Sequence, residues 1–392
     1  MKNLLKVALL ASCVSWGLAA QAGDIPPPLP GAGISQNTLI TTGLALDQNG
    51  RVHVWGFRGS AQQGNGVQSV PSSAAPAIVE SLHNIKYVTG GAYHLLALDE
   101  SGNVYGWGQS GYGETGCEGF YVKTPCKVMS GVTQIVAGEY WSGALGADGN
   151  VYTWGHNLYG QLGNGASQNS KVPVKINLNG ESARLIGGAY EGGFAVTEEG
   201  HVWAWGDNEA SGLGFQGPNY GVQRIVRVPT LVPNLTPYAA QITYIAGGNG
   251  WGQALLEDGR VIGWGLRAAT GYGTTSTALS SPEPFVIMEN VEKLFSRYVG
   301  SFALTRDGLL FTWGQTGGSA FPMIYGSAPN LRYQYDRGDK VVDIGGGKEH
   351  LFFLTESGKL MGVGYNDLHK LNQKTCCAPI IDWPGVQIHL NP

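Results

Sequence analysis

The chain is short of charge: 13% of its 392 residues are acidic or basic, the formal net charge is -4, and no run of Lys or Arg occurs. That excludes the basic surface needed to bind nucleic acid or an anionic membrane. Long apolar runs are also missing: no segment reaches the roughly 18 apolar residues of a spanning helix. Cysteine is scarce, and no pair has the CxxC spacing of a zinc site. The serine-hydrolase GxSxG, zinc-protease HExxH and phosphate-loop signatures are absent, and the GxG strings precede no helix-like pattern. What the chain has in excess is glycine, 62 residues, and tryptophan, 11 residues. Such glycine content permits disorder, but the aliphatic and aromatic content supplies a core and the glycines are spaced in register.

That register is the dominant feature. Trp-Gly recurs at Trp55-Gly56, Trp107-Gly108, Trp154-Gly155, Trp205-Gly206, Trp264-Gly265 and Trp313-Gly314, with a decayed copy at Val363-Gly364. Six residues before the glycine of each pair stands another, at Gly50, Gly102, Gly149, Gly200, Gly259, Gly308 and Gly358, preceded by Asn, Ser, Asp or Glu. The fixed offset predicts a hairpin turn and one short strand. Successive pairs lie 52, 47, 51, 59, 49 and 50 residues apart, so length varies only in the connections, as in a propeller or an array.

The first 22 residues have the pattern of a secretory signal: Lys2 and Lys6, an apolar core from Val7 to Ala19, and Ala20-Gln21-Ala22 as a cleavage site. Export and a mature start at Gly23 are expected, in the periplasm or outside the cell. A competing reading makes Leu10-Ala11-Ser12-Cys13 a lipoprotein box. Residues 23–37 are a proline-rich lead-in. Four cysteines follow the signal, Cys117, Cys126, Cys376 and Cys377; an oxidising compartment suggests bridges, with Cys117–Cys126 the favoured pair.

Within each unit Val and aromatic residues alternate with period two, as in Val151-Tyr152-Thr153-Trp154, which reads as a strand. Small residues at Ala45, Ala97, Ala144, Ala195, Ala254 and Ala303, with Phe353 in the seventh unit, suit a crowded site where sheets converge. The fold class expected is all-β: a seven-bladed β-propeller over residues 38–392 with four strands per blade. The tail Gly385 to Leu390 reads as a first strand, so it is expected to close the ring by completing the first blade.

The run from Ala144 to Gly163 resembles the repeat of the regulator of chromosome condensation family, with weaker copies over about residues 38–390. The resemblance implies the propeller fold and a protein-docking role; a secreted bacterial propeller of similar type inhibits a β-lactamase, which implies inhibition as one form of that role. The family's histidine after the glycine bend is kept at His94 and His350, and the matching places hold Thr42, Trp141, Glu191, Trp251 and Gly300.

Up-down topology puts the bends between first and second strands on one face with the loops after Trp-Gly. Those bends carry Tyr93, His94, Glu139, Tyr140, Trp141, Tyr190, Glu191, Trp251, Tyr298, Glu349 and His350, a crown of aromatic and charged residues expected to bind a partner. Tyr112, Tyr159 and Tyr272 widen it, whereas His53, His156 and His201 read as solvated or capping. The competing reading packs these rings between blades. The function expected is a monomeric exported scaffold docking an extracytoplasmic protein, with no cofactor, metal, nucleic acid or membrane span. Binding of a cell-envelope glycan is the alternative. A metal-assisted hydrolase or lyase is the third, and it requires His94, His350 and a carboxylate from Glu191 or Glu349 to converge.

Overall fold

The computed structural model describes residues 8–9, 33–34, 42–47, 49–56, 59–68, 73–216, 224–272, 280–297, 300–314, 328–333, 339–347, 350–365, 379–380 and 386–388. It is a nearly all-β molecule of seven four-stranded blades arranged as a propeller. The third blade is typical: Val132–Ala137, Trp141–Gly146, Val151–Gly155 and Ser170–Lys175 pair antiparallel in chain order.

The repeat's residues have distinct mechanical roles. Each turn glycine closes the hairpin between second and third strands in the left-handed region, as Gly149 does with φ 77°. The alanines and Phe353 are wholly buried. The tryptophans of the Trp-Gly pairs are at most 1% exposed, and four of them reach back to the preceding blade. Trp107 Nε1 donates to Gln62 O at 2.8 Å, Trp154 to Glu114 O at 3.1 Å, Trp205 to Gln161 O at 2.8 Å and Trp264 to Gly212 O at 2.9 Å. A buried indole N–H requires such an acceptor. The repeat thus encodes contact between blades as well as the strand itself.

Ring closure differs from the sequence expectation. Val386–Ile388 pairs with Leu360–Tyr365 of the seventh blade, in register Leu360 to Ile388, and so does Pro379–Ile380; together they make that blade's outer strand. The inner place of the first blade, beside Thr42–Leu46, is taken by Ala8–Leu9 from the segment with signal character. Gly33–Ile34, in the proline-rich lead-in, runs parallel to Gly346–Gly347. The tail still contributes to closure by packing: Ile388 shares a buried cluster with Ala45 and Trp55 of the first blade and Phe352, Leu354 and Leu360 of the seventh. Trp55 and Phe352 meet edge to face at 5.4 Å between ring centroids. An apolar side chain is held wherever its area is buried, and Ile388 is buried without its backbone crossing to the first blade.

Cys117 and Cys126 form a disulfide between the loop and the outer strand of the second blade. Cys376 and Cys377 lie outside the described residues. The insertion from Phe215 to Gln241 supplies the fourth blade's outer strand, Ile225–Leu231, and a 3-10 helix, Pro233–Gln241. That helix lies on the hairpin-turn side, where Gln241 O accepts from Glu257 N, so it does not cover the opposite crown.

Candidate functional site

Pairing register separates the crown residues into two groups. Thr42, His94, Trp141, Gly192, Trp251, Gly300 and His350 face the glycines Gly56, Gly108, Gly155, Gly206, Gly265, Gly314 and Gly364. This is the first position of each second strand, and the side chains of Thr42, His94, Trp141 and Trp251 there point between blades. Accordingly Thr42 and His94 are fully buried, while Trp141 and Trp251 are 1% exposed. The expectation that His94, Trp141 and Trp251 line the binding face is therefore corrected. Trp141 lies against the bare backbone of Gly138 and Gly193, and its Nε1 donates to Ala189 O at 3.3 Å. Its ring fills space that a side chain at Gly138 would occupy. Glu191 also shifts by one: Gly192 holds the matching place, and Glu191 sits in the bend. Tyr298 and Glu349 lie outside the described residues, and His350 is described by its backbone alone.

The residue before this position is what the crown presents. Tyr93 and Tyr140, from neighbouring bends, stack at 5.9 Å between centroids with an interplanar angle of 25°. Tyr112, 40% exposed, meets Tyr140 edge-on at 5.5 Å and His156 at 4.5 Å. His156 in turn meets Tyr159 at 6.2 Å. These five rings make one continuous band over the second and third blades. Gln161 Oε1 accepts from Tyr159 N at 2.9 Å, so its amide nitrogen donates to His156 Nδ1, also at 2.9 Å. Burial pushes the His156 imidazole below its ordinary pKa and the Tyr93 phenol above its own. Both shifts favour the uncharged form of these two rings. His156, read from sequence as solvated or capping, is part of it; its loop position carried no signal of this. Tyr272 lies apart, against Phe285 and under Arg267.

Next to the band the crown turns acidic. Glu139 is 6% exposed, and Glu191, half-buried, faces Asp207, Glu139 and Glu209. Burial first, then the neighbouring carboxylates, raises the Glu191 pKa to about 8; burial raises Asp207 to about 6 against the pull of Arg224. Arg224 bridges Asp207 at 3.0 Å and Glu209 at 3.4 Å. Between the fourth and fifth blades the crown has a hollow of only about 10 Å³, lined by Glu191, Asp207, Asn249 and Trp251. That is room for about one water, not for a sugar ring or a metabolite.

The geometry also decides what His94 can do. Its Nε2 is 2.9 Å from Ser142 Oγ, an arrangement that invites comparison with a Ser–His pair. The Ser142 hydroxyl, however, donates to Glu114 O at 2.7 Å, so the imidazole N–H donates to Oγ and takes no proton from it. Burial holds His94 at a pKa of about 3, and its Nδ1 has no partner. This is a neutral, enclosed spacer, removed from the site that the hydrolase reading needed. Among the described residues no three His, Cys, Asp or Glu side chains are grouped to hold a metal. His53 is likewise buried, paired with Asp47 at 3.1 Å, and His201 is tied to Glu181 at 2.8 Å.

Comparison with known proteins settles the ancestry. Profiles of the regulator of chromosome condensation (RCC1) repeat match residues 148–188, and also 85–114 and 132–161. The chain is an RCC1-repeat protein. It is 27% identical over 347 residues to the mitochondrial RCC1 domain-containing protein RUG3 of Arabidopsis thaliana, covering 81% of this chain and 74% of that one. It is 26% identical over 339 residues to the ultraviolet-B receptor UVR8 of the same plant, covering 82% and 74%. Yeast RCC1 (Prp20), solved with Kap60 bound, superposes with a TM-score of 0.70 at 19% identity, over 89% of this chain and 84% of that one.

Among this protein's RCC1 repeats one substitution stands out beneath the tyrosine band. Gln62 and Gln161 occupy equivalent loop positions and accept from the backbone N–H two residues earlier, at Ser60 and Tyr159. The second blade has Glu114 there, accepting from Tyr112 N at 2.7 Å. Glu114 is fully buried, its Oε1 has no partner, and burial raises its pKa to about 7.

Proposed function

We propose that this RCC1-repeat propeller is an exported scaffold that docks an extracytoplasmic protein through the tyrosine band, with the carboxyl groups of Glu139 and Glu191 at its margin. The observation that carries this reading is the band itself: Tyr93, Tyr112, Tyr140, His156 and Tyr159 form one aromatic surface on rigid bends. Tyrosine supplies large contact area with a polar tip, the composition of interface hot spots. The hollow beside the band has room for about one water, so this face suits a protein better than a small molecule. Likeness to a yeast propeller solved with Kap60 bound supports protein docking as the role of the ring. The secretory pattern of residues 1–22 supports export, and with it an extracytoplasmic partner such as an enzyme that docking inhibits.

The test is affinity capture from envelope and secreted fractions with immobilised protein, in parallel with a Tyr112→Ala/Tyr140→Ala/Tyr159→Ala variant. One protein retained by the wild type and lost by the triple variant supports the proposal. Equal retention by both removes the tyrosine band as the docking surface.

A further inference from the structure

The outer rim holds a second concave feature, whose walls include none of the five rings of the band. A groove of about 360 Å³ opens between the third and fourth blades, walled by Trp203, Asn164, Asn177, Asn179, Lys175 and Val228. Its volume falls within the range of small-ligand sites. We propose that this groove is a saccharide-binding site. The proposal is independent of the crown.

Two features carry it. The first is a clamped aromatic ring. Trp203 is half-buried, and its Nε1 donates to Glu181 Oε2 at 2.9 Å. The same carboxylate accepts from Thr197 Oγ1 and binds His201 Nδ1, both at 2.8 Å. The indole is therefore fixed before any ligand arrives, and stacking on it costs little conformational entropy. The apolar C–H face of a pyranose is a fitting partner for such a ring.

The second feature is a set of amides with their oxygens already engaged. Asn164 Oδ1 accepts from Asn157 Nδ2 and from Ala166 N, each at 3.1 Å. Asn177 Oδ1 accepts from Gly180 N at 3.2 Å. Both side chains are thus held in place, and neither NH2 group has an acceptor among the described residues. Asn179, in the left-handed conformation at φ 58°, brings a third amide to the wall. Fixed donors beside an aromatic ring match hydroxyl oxygens that lie around a sugar's apolar face. Lys175 is the only cation among the described residues of the wall and Glu181 stands behind the ring, so a polyanionic ligand is not what the charge favours.

The experiment is isothermal titration calorimetry of the whole protein with maltotriose, cellotriose and chitotriose. At least one should bind. Asn164→Asp/Asn177→Asp keeps the oxygens that accept within the protein but removes the NH2 donors, and should weaken binding about tenfold or more without shifting the melting temperature. If that variant proves unstable, Asn179→Gly, which suits the left-handed backbone, should weaken binding severalfold. The crown triple variant should bind the sugar as the wild type does, so failure here and failure of the docking proposal are distinguishable. No binding of any of the three trisaccharides at about 10 mM, or undiminished binding by a folded amide variant, overturns the assignment.

Discussion

Tyr140 and Trp141 are adjacent in the chain and have opposite roles. Tyr140 stacks on Tyr93 at the surface, while Trp141 is sealed between the third and fourth blades. Trp141→Ala should cost about 3–5 kcal/mol in denaturant unfolding, the usual loss for a large buried aromatic. Tyr140→Ala should cost about 1 kcal/mol or less and act on docking instead. Glu114 gives a pH-dependent prediction. Its folded pKa of about 7 lies above the ordinary 4.5, so the folded state holds the proton more tightly than the unfolded chain. Its contribution therefore becomes increasingly unfavourable as pH rises from about 4.5 to 7 and changes little beyond. Glu114→Gln, which installs the residue of Gln62 and Gln161, should be more stable than wild type at pH 8 by on the order of 3 kcal/mol. The advantage should shrink towards pH 4.5; an advantage independent of pH would show that ionisation of Glu114 is not its source.

At the scale of the element, the Trp-Gly strand is where local sequence and contact between blades meet. Gly206 has φ 106°, and a Cβ there would collide with Glu191 O and Gly192 Cα. Gly131 is also left-handed, at φ 74°, but a Cβ there meets nothing within 4 Å. Gly131→Ala should cost about 1 kcal/mol from backbone strain alone. Gly206→Ala should cost about 3 kcal/mol or more, because rigid backbone must move. Comparable melting temperatures for the two variants would refute the close-approach argument. The same glycine–bend contact fixes the crown, since the bend that approaches Gly206 carries Glu191, and the one that approaches Gly155 carries Tyr140.

At the scale of the molecule, the ring joins its ends through side chains as much as through strands. Trp55, Phe352 and Ile388 bury the seam, whereas among the described residues only Ala8 and Leu9 pair along the inner edge of the first blade. If export removes residues 1–22, that short pairing goes with them and the seam's apolar packing stays. Mass spectrometry of protein recovered from an extracytoplasmic fraction should give a chain beginning at Gly23. A lipidated start at Cys13, or an intact Met1, would overturn the processing and identify a different route or none.

The sequence by itself determined the number of blades and the hairpin turns at the seven glycines. These follow from a period of two within a hairpin and a period near 50 between hairpins, both local properties of the chain. It also located the bends that form the crown. Which residue of each bend points outward was a tertiary decision: one step in register buries His94, Trp141 and Trp251 and leaves Tyr93 and Tyr140 half-buried at the surface. That step depends on how closely the bend packs on the glycine facing it and on the next blade, which spacing along the chain does not record. The joining of His156 to the tyrosines, the pairing of Arg224 with Asp207, the rim groove beside Trp203 and the place of the C-terminal strand were tertiary outcomes too. Each brings together segments from different loops or blades, and their meeting is set by the packing of whole sheets around the ring.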